Sequence, residues 1–122
     1  MTGFWPGKTR CTVMLTFDID GPSAMINRNP KVEFMPSARS MGEFGPTVAM
    51  PRILAMLREF DLKATFYVPG WVAEHHPEIV AQTAAEGHEI GHHGYLHEPP
   101  ASLSPEAEAD VLDKGSAILK DI

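Results

Sequence analysis

The sequence of 122 residues has one cysteine, few basic residues and no long apolar segment. Cys11 cannot form a disulfide within the chain, and its place in a β-like run predicts a small buried core residue. Lys and Arg number 10 against 16 Asp and Glu, without a basic cluster, which disfavours nucleic acid and anionic membranes as partners. No stretch reaches the roughly 18 apolar residues of a membrane span. Residues 1–10 lack the apolar core of a signal peptide, so we expect a cytoplasmic protein.

Three short runs have the composition of β-strands. Residues 12–17 are almost continuously apolar or β-branched, as is typical of a strand buried on both faces of a parallel sheet. Residues 63–68 predict a second strand, and residues 88–91 predict a short third one.

Helical patterns separate these runs. Residues 23–45 show no clean period and predict a long loop, whereas a helical pattern runs from Pro46 to Phe60. A second helical region covers residues 71–86 with a break near Pro77, and Ser104 is the predicted N-cap of a last helix. Strands that alternate with helices predict an α/β fold with a parallel sheet, formed by residues 1–122 as one domain.

Carboxylates follow the first predicted strand, and imidazoles follow the third. Asp18 and Asp20 lie at alternate positions, and His93 and His97 are four residues apart. Because the carboxyl ends of parallel strands meet at one edge of a sheet, we expect these four side chains to lie close together. Two nitrogen ligands and one carboxylate suit a divalent metal with open positions, and the second carboxylate could serve as a base.

Each motif alone also has a structural interpretation. An Asp pair after a strand often forms a turn or caps a helix, and a lone His-x-x-x-His is a weak metal signal. His92 adjoins His93 and is an alternative ligand, although the spacing to His97 favours His93. The remaining histidines are predicted to be solvated at positions 75 and 76 and structural at position 88.

Two segments resemble motifs of the polysaccharide deacetylase family, the NodB-homology domain. T-F-D-I-D-G-P at residues 16–22 is similar to the family's T-F-D-D-G-P, and G-H-E-I-G-H-H-G-Y-L-H at residues 87–97 is similar to G-H-E-I-G-N-H-T-x-x-H. Residues 63–68 match the strand signature between them. The resemblance implies the N-terminal part of a deformed (β/α) barrel, with parallel strands and flanking helices, that hydrolyses N- or O-acetyl groups with a divalent ion, zinc being the expected one. It further implies the roles of the four site residues: a base, Asp18, and three metal ligands, Asp20, His93 and His97.

Departures from the family pattern refine these expectations. Ile19 separates the two aspartates, and Gly94-Tyr95 replaces the usual Thr or Ser, which resembles a subgroup of peptidoglycan deacetylases and allantoinase-like hydrolases of cyclic amides. The implied substrates are therefore an N-acetylated sugar or a small amide or imide.

The length points to a partial domain. A complete (β/α)₈ barrel needs roughly 200 residues or more. No counterpart of the family's later arginine, hydrophobic and histidine motifs follows Glu98. We therefore expect association with a second copy or with a missing C-terminal half. The remaining alternative is a non-catalytic chain, either a metal- or sugar-binding fragment or an assembly partner.

Overall fold

A three-stranded parallel sheet organises residues 9–122, the part of the chain that the computed structural model describes. Its strands lie in the order β1 (Thr16–Asp18), β2 (Thr65–Val68) and β3 (Glu89–His92). In the register, Phe66 of β2 is the partner of Phe17 on one side and of Ile90 on the other. The predicted parallel sheet is confirmed, while the expectation about a signal peptide falls mainly on residues 1–8, outside the described residues.

Six α-helices connect and flank the strands within residues 9–122. Three precede β2, two lie between β2 and β3, and the last follows β3: α1 (Ser23–Arg28), α2 (Pro36–Phe44), α3 (Met50–Glu59), α4 (Gly70–His75), α5 (Pro77–Ala85) and α6 (Pro105–Lys120). Short 3₁₀ turns cover Pro30–Phe34 and Pro100–Ser102, and a π-helical turn covers Gly45–Ala49. None of the described helices combines the length and the apolar character that crossing a bilayer requires.

The predicted long loop over residues 23–45 is wrong, because most of this region is helical. Pro30 and Pro36 stand at the first turns of helical segments, where the missing N–H would have no intrahelical acceptor. The segments are too short for the apolar period to repeat. Pro51 likewise lies in the first turn of α3 and does not break it. Proline here marks where helices begin.

Other predicted helix boundaries are confirmed. The break near Pro77 separates α4 from α5. Ser104 caps α6 with its Oγ, which accepts a hydrogen bond from the Ala107 N–H at 3.2 Å. Gly87, two residues after the end of α5, has φ of +78°, a backbone conformation that glycine adopts without strain.

The hydrophobic core lies between the helices and one face of the sheet. Phe66 and Val68 of β2 are fully buried there, and they pack with Leu54 and Leu57 of α3. Phe17 and Phe66 stack with their ring centroids 5.2 Å apart across the β1–β2 pair. We call this side of the sheet the covered face.

The opposite side of the sheet, which we call the open face, carries Asp18, Thr65 and Tyr67 and is not covered by the described helices. The prediction that the first strand is buried on both faces is therefore wrong. Val13 and Met14, which precede β1, are 79% and 85% exposed.

The prediction of a buried Cys11 is also wrong, since this residue is exposed. It lies before β1 begins, in a segment that the described helices leave uncovered.

Candidate metal centre

The aspartate side of the centre is built by a chain reversal directly after β1. Ile19 is 2% exposed and points into the core, so alternation of an extended backbone places Asp18 and Asp20 on its other side. Gly21 has φ of +54°, which turns the chain. Ser23 then donates from Oγ to the Asp20 carbonyl oxygen at 2.7 Å. The additional residue between the two aspartates thus serves as a core anchor.

The histidine side follows β3. His93 continues the ladder, because its N–H donates to the Val68 carbonyl oxygen at 3.2 Å. Gly94 and His97 both have positive φ, +73° and +57°, and they curl the segment between them into a tight loop. A left-handed conformation is costly for histidine, so His97 is a strained position. We call residues 93–98 the histidine loop.

Helix α4 holds the histidine loop through backbone N–H groups of its first turn, which have no acceptor within the helix. The N–H groups of Gly70 and Trp71 donate to the carbonyl oxygens of Gly94 and Tyr95, both at 2.9 Å. Helix N-termini leave such N–H groups without an intrahelical acceptor. The loop therefore supplies acceptors for the free N–H groups of the helix, and the same hydrogen bonds hold the loop in place.

Tyr95 ties the same loop to two helices. Its hydroxyl donates to Glu74 Oε2 of α4 at 2.7 Å, and Lys114 Nζ of α6 lies 3.2 Å from the ring centroid. Burial, and then the hydrogen bond to Glu74, raise the pKa of Tyr95 to about 12. The phenol therefore stays protonated and remains a donor at neutral pH.

Three of the four predicted site residues meet at the rim of the sheet. Asp20 Oδ1 lies 3.5 Å from His93 Nε2, and Asp20 Oδ2 lies 3.7 Å from His97 Nε2. One ligand atom from each residue lies within 4.8 Å of the others. Zinc ligands at about 2.1 Å in tetrahedral array are separated by roughly 3.4 Å, so the donor set has the right size for one ion.

Unpaired polar atoms support this fit. Among the described residues, Asp20 Oδ1 and His93 Nε2 are buried atoms without a hydrogen-bond partner. Leaving such atoms unpaired costs free energy, and a cation between them would satisfy both. The types of donor atom and their lack of hydrogen-bond partners therefore suit a divalent ion.

The fourth predicted residue stands apart. Asp18 is exposed on the open face, where it is paired in register with Tyr67, and it does not belong to the three-residue group. Its role as a base stays a prediction. The Tyr67 and His93 rings have centroids 6.2 Å apart, so Tyr67 borders the site, although no sequence motif pointed to this residue.

The alternative ligand, His92, is directed elsewhere. Its ring lies against Gly115 of α6, and its Nδ1 accepts a hydrogen bond from the Gly94 N–H at 3.1 Å. The structure thus brings His93, and not His92, to Asp20. Sequence reasoning also missed Gly115, although a glycine within an amphipathic helix is a recognisable signal of close packing.

The remaining histidines have structural surroundings. His88 is buried, as expected, and its Nδ1 accepts from the Ala64 N–H at 3.3 Å. Burial, and then the charge of Lys63, lower its pKa. His75 is exposed, as predicted. The prediction for His76 is wrong, since its side chain is only 13% exposed with Nε2 2.8 Å from a Glu43 oxygen.

An apolar cavity adjoins the site. It has a volume of about 360 Å³ and lies between the histidine loop and α6. His93 and His97 form part of its wall, and Leu103, Val111 and Leu112 supply apolar surface. These two candidate ligands therefore border a partly apolar recess.

The family assignment follows from comparison with known proteins. The family model for polysaccharide deacetylase matches residues 7–122. The chain belongs to the polysaccharide deacetylase family, and its α/β fold is that of part of a deformed (β/α) barrel of this type.

Individual relatives agree with this assignment. A peptidoglycan deacetylase from Helicobacter pylori is 37% identical over 90 residues, which cover 74% of this chain and 31% of that protein. A solved structure from Mycobacterium smegmatis, assigned to the polysaccharide deacetylases, is 38% identical with a TM-score of 0.93, covering 97% of this chain and 41% of the other. The Puue allantoinase shares the fold, with 22% identity and a TM-score of 0.79, over 96% of this chain and 44% of its own. This chain thus spans about a third of the H. pylori protein.

Proposed function

We propose that this chain carries the metal centre of a hydrolase that cleaves carbon–nitrogen bonds other than peptide bonds, with an N-acetylated sugar as substrate. Asp20, His93 and His97 would hold a divalent ion, and zinc suits two imidazoles and one carboxylate. Asp18 would act as the base.

The observation that carries this proposal is the convergence of one ligand atom from each of the three residues within 4.8 Å. Asp20 Oδ1 and His93 Nε2, which are 3.5 Å apart, are moreover buried without hydrogen-bond partners in the described residues. Family membership supports it, because the H. pylori relative is a peptidoglycan deacetylase. The relative's activity belongs to a protein about three times as long as the matched portion, so the substrate is part of the proposal.

The chain's own residues divide the work. A bound divalent ion would supply an acidified water and polarise the acetyl carbonyl. Asp18 would accept one proton of the attacking water and return it to the leaving nitrogen. Cleavage of the C–N bond would then release a free amine and acetic acid, which ionises to acetate. Helix α4 and Tyr95 hold the histidine loop, so that both imidazoles stay directed at Asp20.

A second candidate is hydrolysis of a cyclic amide. The spaced pair Asp18 and Asp20, with Ile19 anchored between them in the core, favours it through the resemblance to the allantoinase-like subgroup. The third candidate keeps the metal or sugar site without turnover.

Assays on the same chain separate the three candidates. Calorimetric titration with Zn²⁺ tests the metal, and 1:1 binding is expected. Release of acetate from N-acetylglucosamine oligomers supports the deacetylase, whereas ring opening of allantoin supports the cyclic amide hydrolase. Asp18→Asn is the control for each, and equal traces from both proteins would indicate a binding fragment. Absence of Zn²⁺ binding would overturn the proposed centre.

A further inference from the structure

Gly115 lies in the middle of α6, where glycine is an unfavourable residue. Alanine at an ordinary interior helix position would be more stable by about 1 kcal/mol. Gly115 is buried, however, and a methyl group added there would overlap His92 Nε2 and lie 2.9 Å from His92 Cδ2. The absence of a side chain at position 115 is therefore what makes room for the His92 ring.

A second glycine, Gly70, lies beside Gly115 at the crossing of helices α4 and α6. A methyl group added at Gly70, in the first turn of α4, would lie 3.1 Å from the Gly115 Cα atom and 2.8 Å from Cδ2 of Tyr95. Helices α4 and α6 therefore approach closely beneath the histidine loop. A methyl group at either glycine would therefore require its neighbours to shift.

The His92 ring links this crossing to the metal ligands. Its Nδ1 accepts from the Gly94 N–H at 3.1 Å, so the ring spans the turn that follows His93. Gly94 has φ of +73° and begins the path to His97. Displacing the ring from α6 would release the Gly94 N–H and alter the direction of both ligand side chains.

We propose that Gly115 is a positioning residue for the metal centre and that it acts through the ring of His92. By leaving space for this ring, Gly115 lets the Gly94 turn form, and the turn directs His93 and His97 toward Asp20. The role in metal binding rests on the proposed function, whereas the role in forming the turn can be measured in the metal-free protein.

The central experiment uses Gly115→Ala. We expect Zn²⁺ affinity to fall about 10- to 100-fold, as is typical when a group that orients ligands is lost. In the metal-free protein, we expect the Gly94 amide to exchange its hydrogen about tenfold faster, measured by NMR. Gly45→Ala is the matched control, because its methyl group would have no neighbour closer than 3.9 Å. It should leave both quantities unchanged.

Substitutions at His92 test whether the effect passes through the ring. Asparagine is shorter, and its side-chain oxygen can accept from the N–H two residues later, as in an Asx-turn. His92→Asn should therefore keep the Gly94 bond, and Gly115→Ala with His92→Asn should recover Zn²⁺ affinity and amide protection to within about threefold of His92→Asn alone. His92→Ala cannot clash with α6 but removes the acceptor, so it should lose both Zn²⁺ affinity and protection of the Gly94 amide. This variant tests the proposal even if Gly115→Ala does not fold.

The outcomes are distinguishable. Unchanged Gly94 exchange in folded Gly115→Ala, or in His92→Ala, would overturn the positioning role. Failure of His92→Asn to rescue folded Gly115→Ala would show that the glycine acts by another route. If the unmodified chain binds no Zn²⁺ but the exchange rates follow the expected order, the proposed function fails while the structural role of Gly115 stands.

Discussion

Phe66 and Tyr67 are neighbours on β2, yet they lie in very different surroundings. Phe66 points to the covered face and is fully buried, whereas Tyr67 points to the open face and is 37% exposed. The same alternation buries Ile19 and leaves Asp18 on the open face. The covered face supplies the stability of the fold, and the open face and its rim carry the groups that could perform chemistry. Substitutions on the two sides should therefore have separable effects.

The largest expected effect is on the covered face. Phe66→Ala should lower the free energy of unfolding by about 3–5 kcal/mol, because it removes a fully buried ring from the core. Urea unfolding followed by circular dichroism measures this loss. Tyr67→Ala is the matched control on the adjacent residue, and about 1 kcal/mol or less is expected. Similar losses for both variants would contradict the division between the faces.

At the rim, binding should change without a loss of stability. Asp20→Ala should weaken Zn²⁺ binding by more than about 100-fold, since a ligand contributes more than the groups that orient it. The metal-free protein should unfold at the same or a higher urea concentration, because a buried carboxylate oxygen without a partner in the described residues is removed. Asp110→Ala on α6 removes an exposed carboxylate and should bind Zn²⁺ normally. Equal affinities for the two variants would exclude Asp20 as a ligand.

The free energy of unfolding should also depend on pH, through the buried His88. Its pKa is lowered in the folded protein by burial and by Lys63, so the unfolded chain binds a proton more readily. Stability should fall as the pH drops below the unfolded value near 6.5, until the pH lies below the folded pKa. Urea midpoints of metal-free protein at pH 8 and 5.5 measure this loss. His88→Gln should show a smaller difference between the two pH values; an equal or larger difference would contradict the assignment.

The smallest effect on stability is expected at the exposed segment before β1. Met14 is 85% exposed, so Met14→Gln should change the free energy of unfolding by less than about 0.5 kcal/mol. Light scattering on the same samples tests the predicted association with a second copy. A mass above that of the monomer that decreases in the variant would support self-association through this segment. Monomers at all concentrations would exclude association with a second copy.

The sequence predicted those parts of the fold that local rules determine. The alternation of strands with helices, the break at Pro77 and the Ser104 cap depend on short-range chemistry, and they are confirmed. The rim on which Asp20 and His93 meet followed from the geometry of parallel strands, and the structure brings the two residues together.

The errors arose where tertiary surroundings decide. An apolar composition does not reveal which face of a strand is covered, so Val13, Met14 and Cys11 were expected in the interior but are exposed. The short helices of residues 23–45 have no repeating apolar stripe. The prolines in their first turns also made this region similar in composition to a loop. A glycine inside a helix indicates close packing, but the residue that packs on Gly115 is His92, 23 positions away in the sequence, and no local pattern identifies it.

The left-handed backbone of His97 lowers the stability of the fold at a position that the proposed function requires to be histidine. At φ of +57°, glycine would relieve strain of roughly 1–2 kcal/mol, and asparagine would relieve part of it. Mutagenesis followed by selection for heat resistance alone would therefore replace this histidine early, and the more durable protein would have lost a candidate ligand. A laboratory lineage evolved for thermal endurance without a demand for metal should drift to Gly or Asn at position 97, whereas one that must retain zinc should keep His.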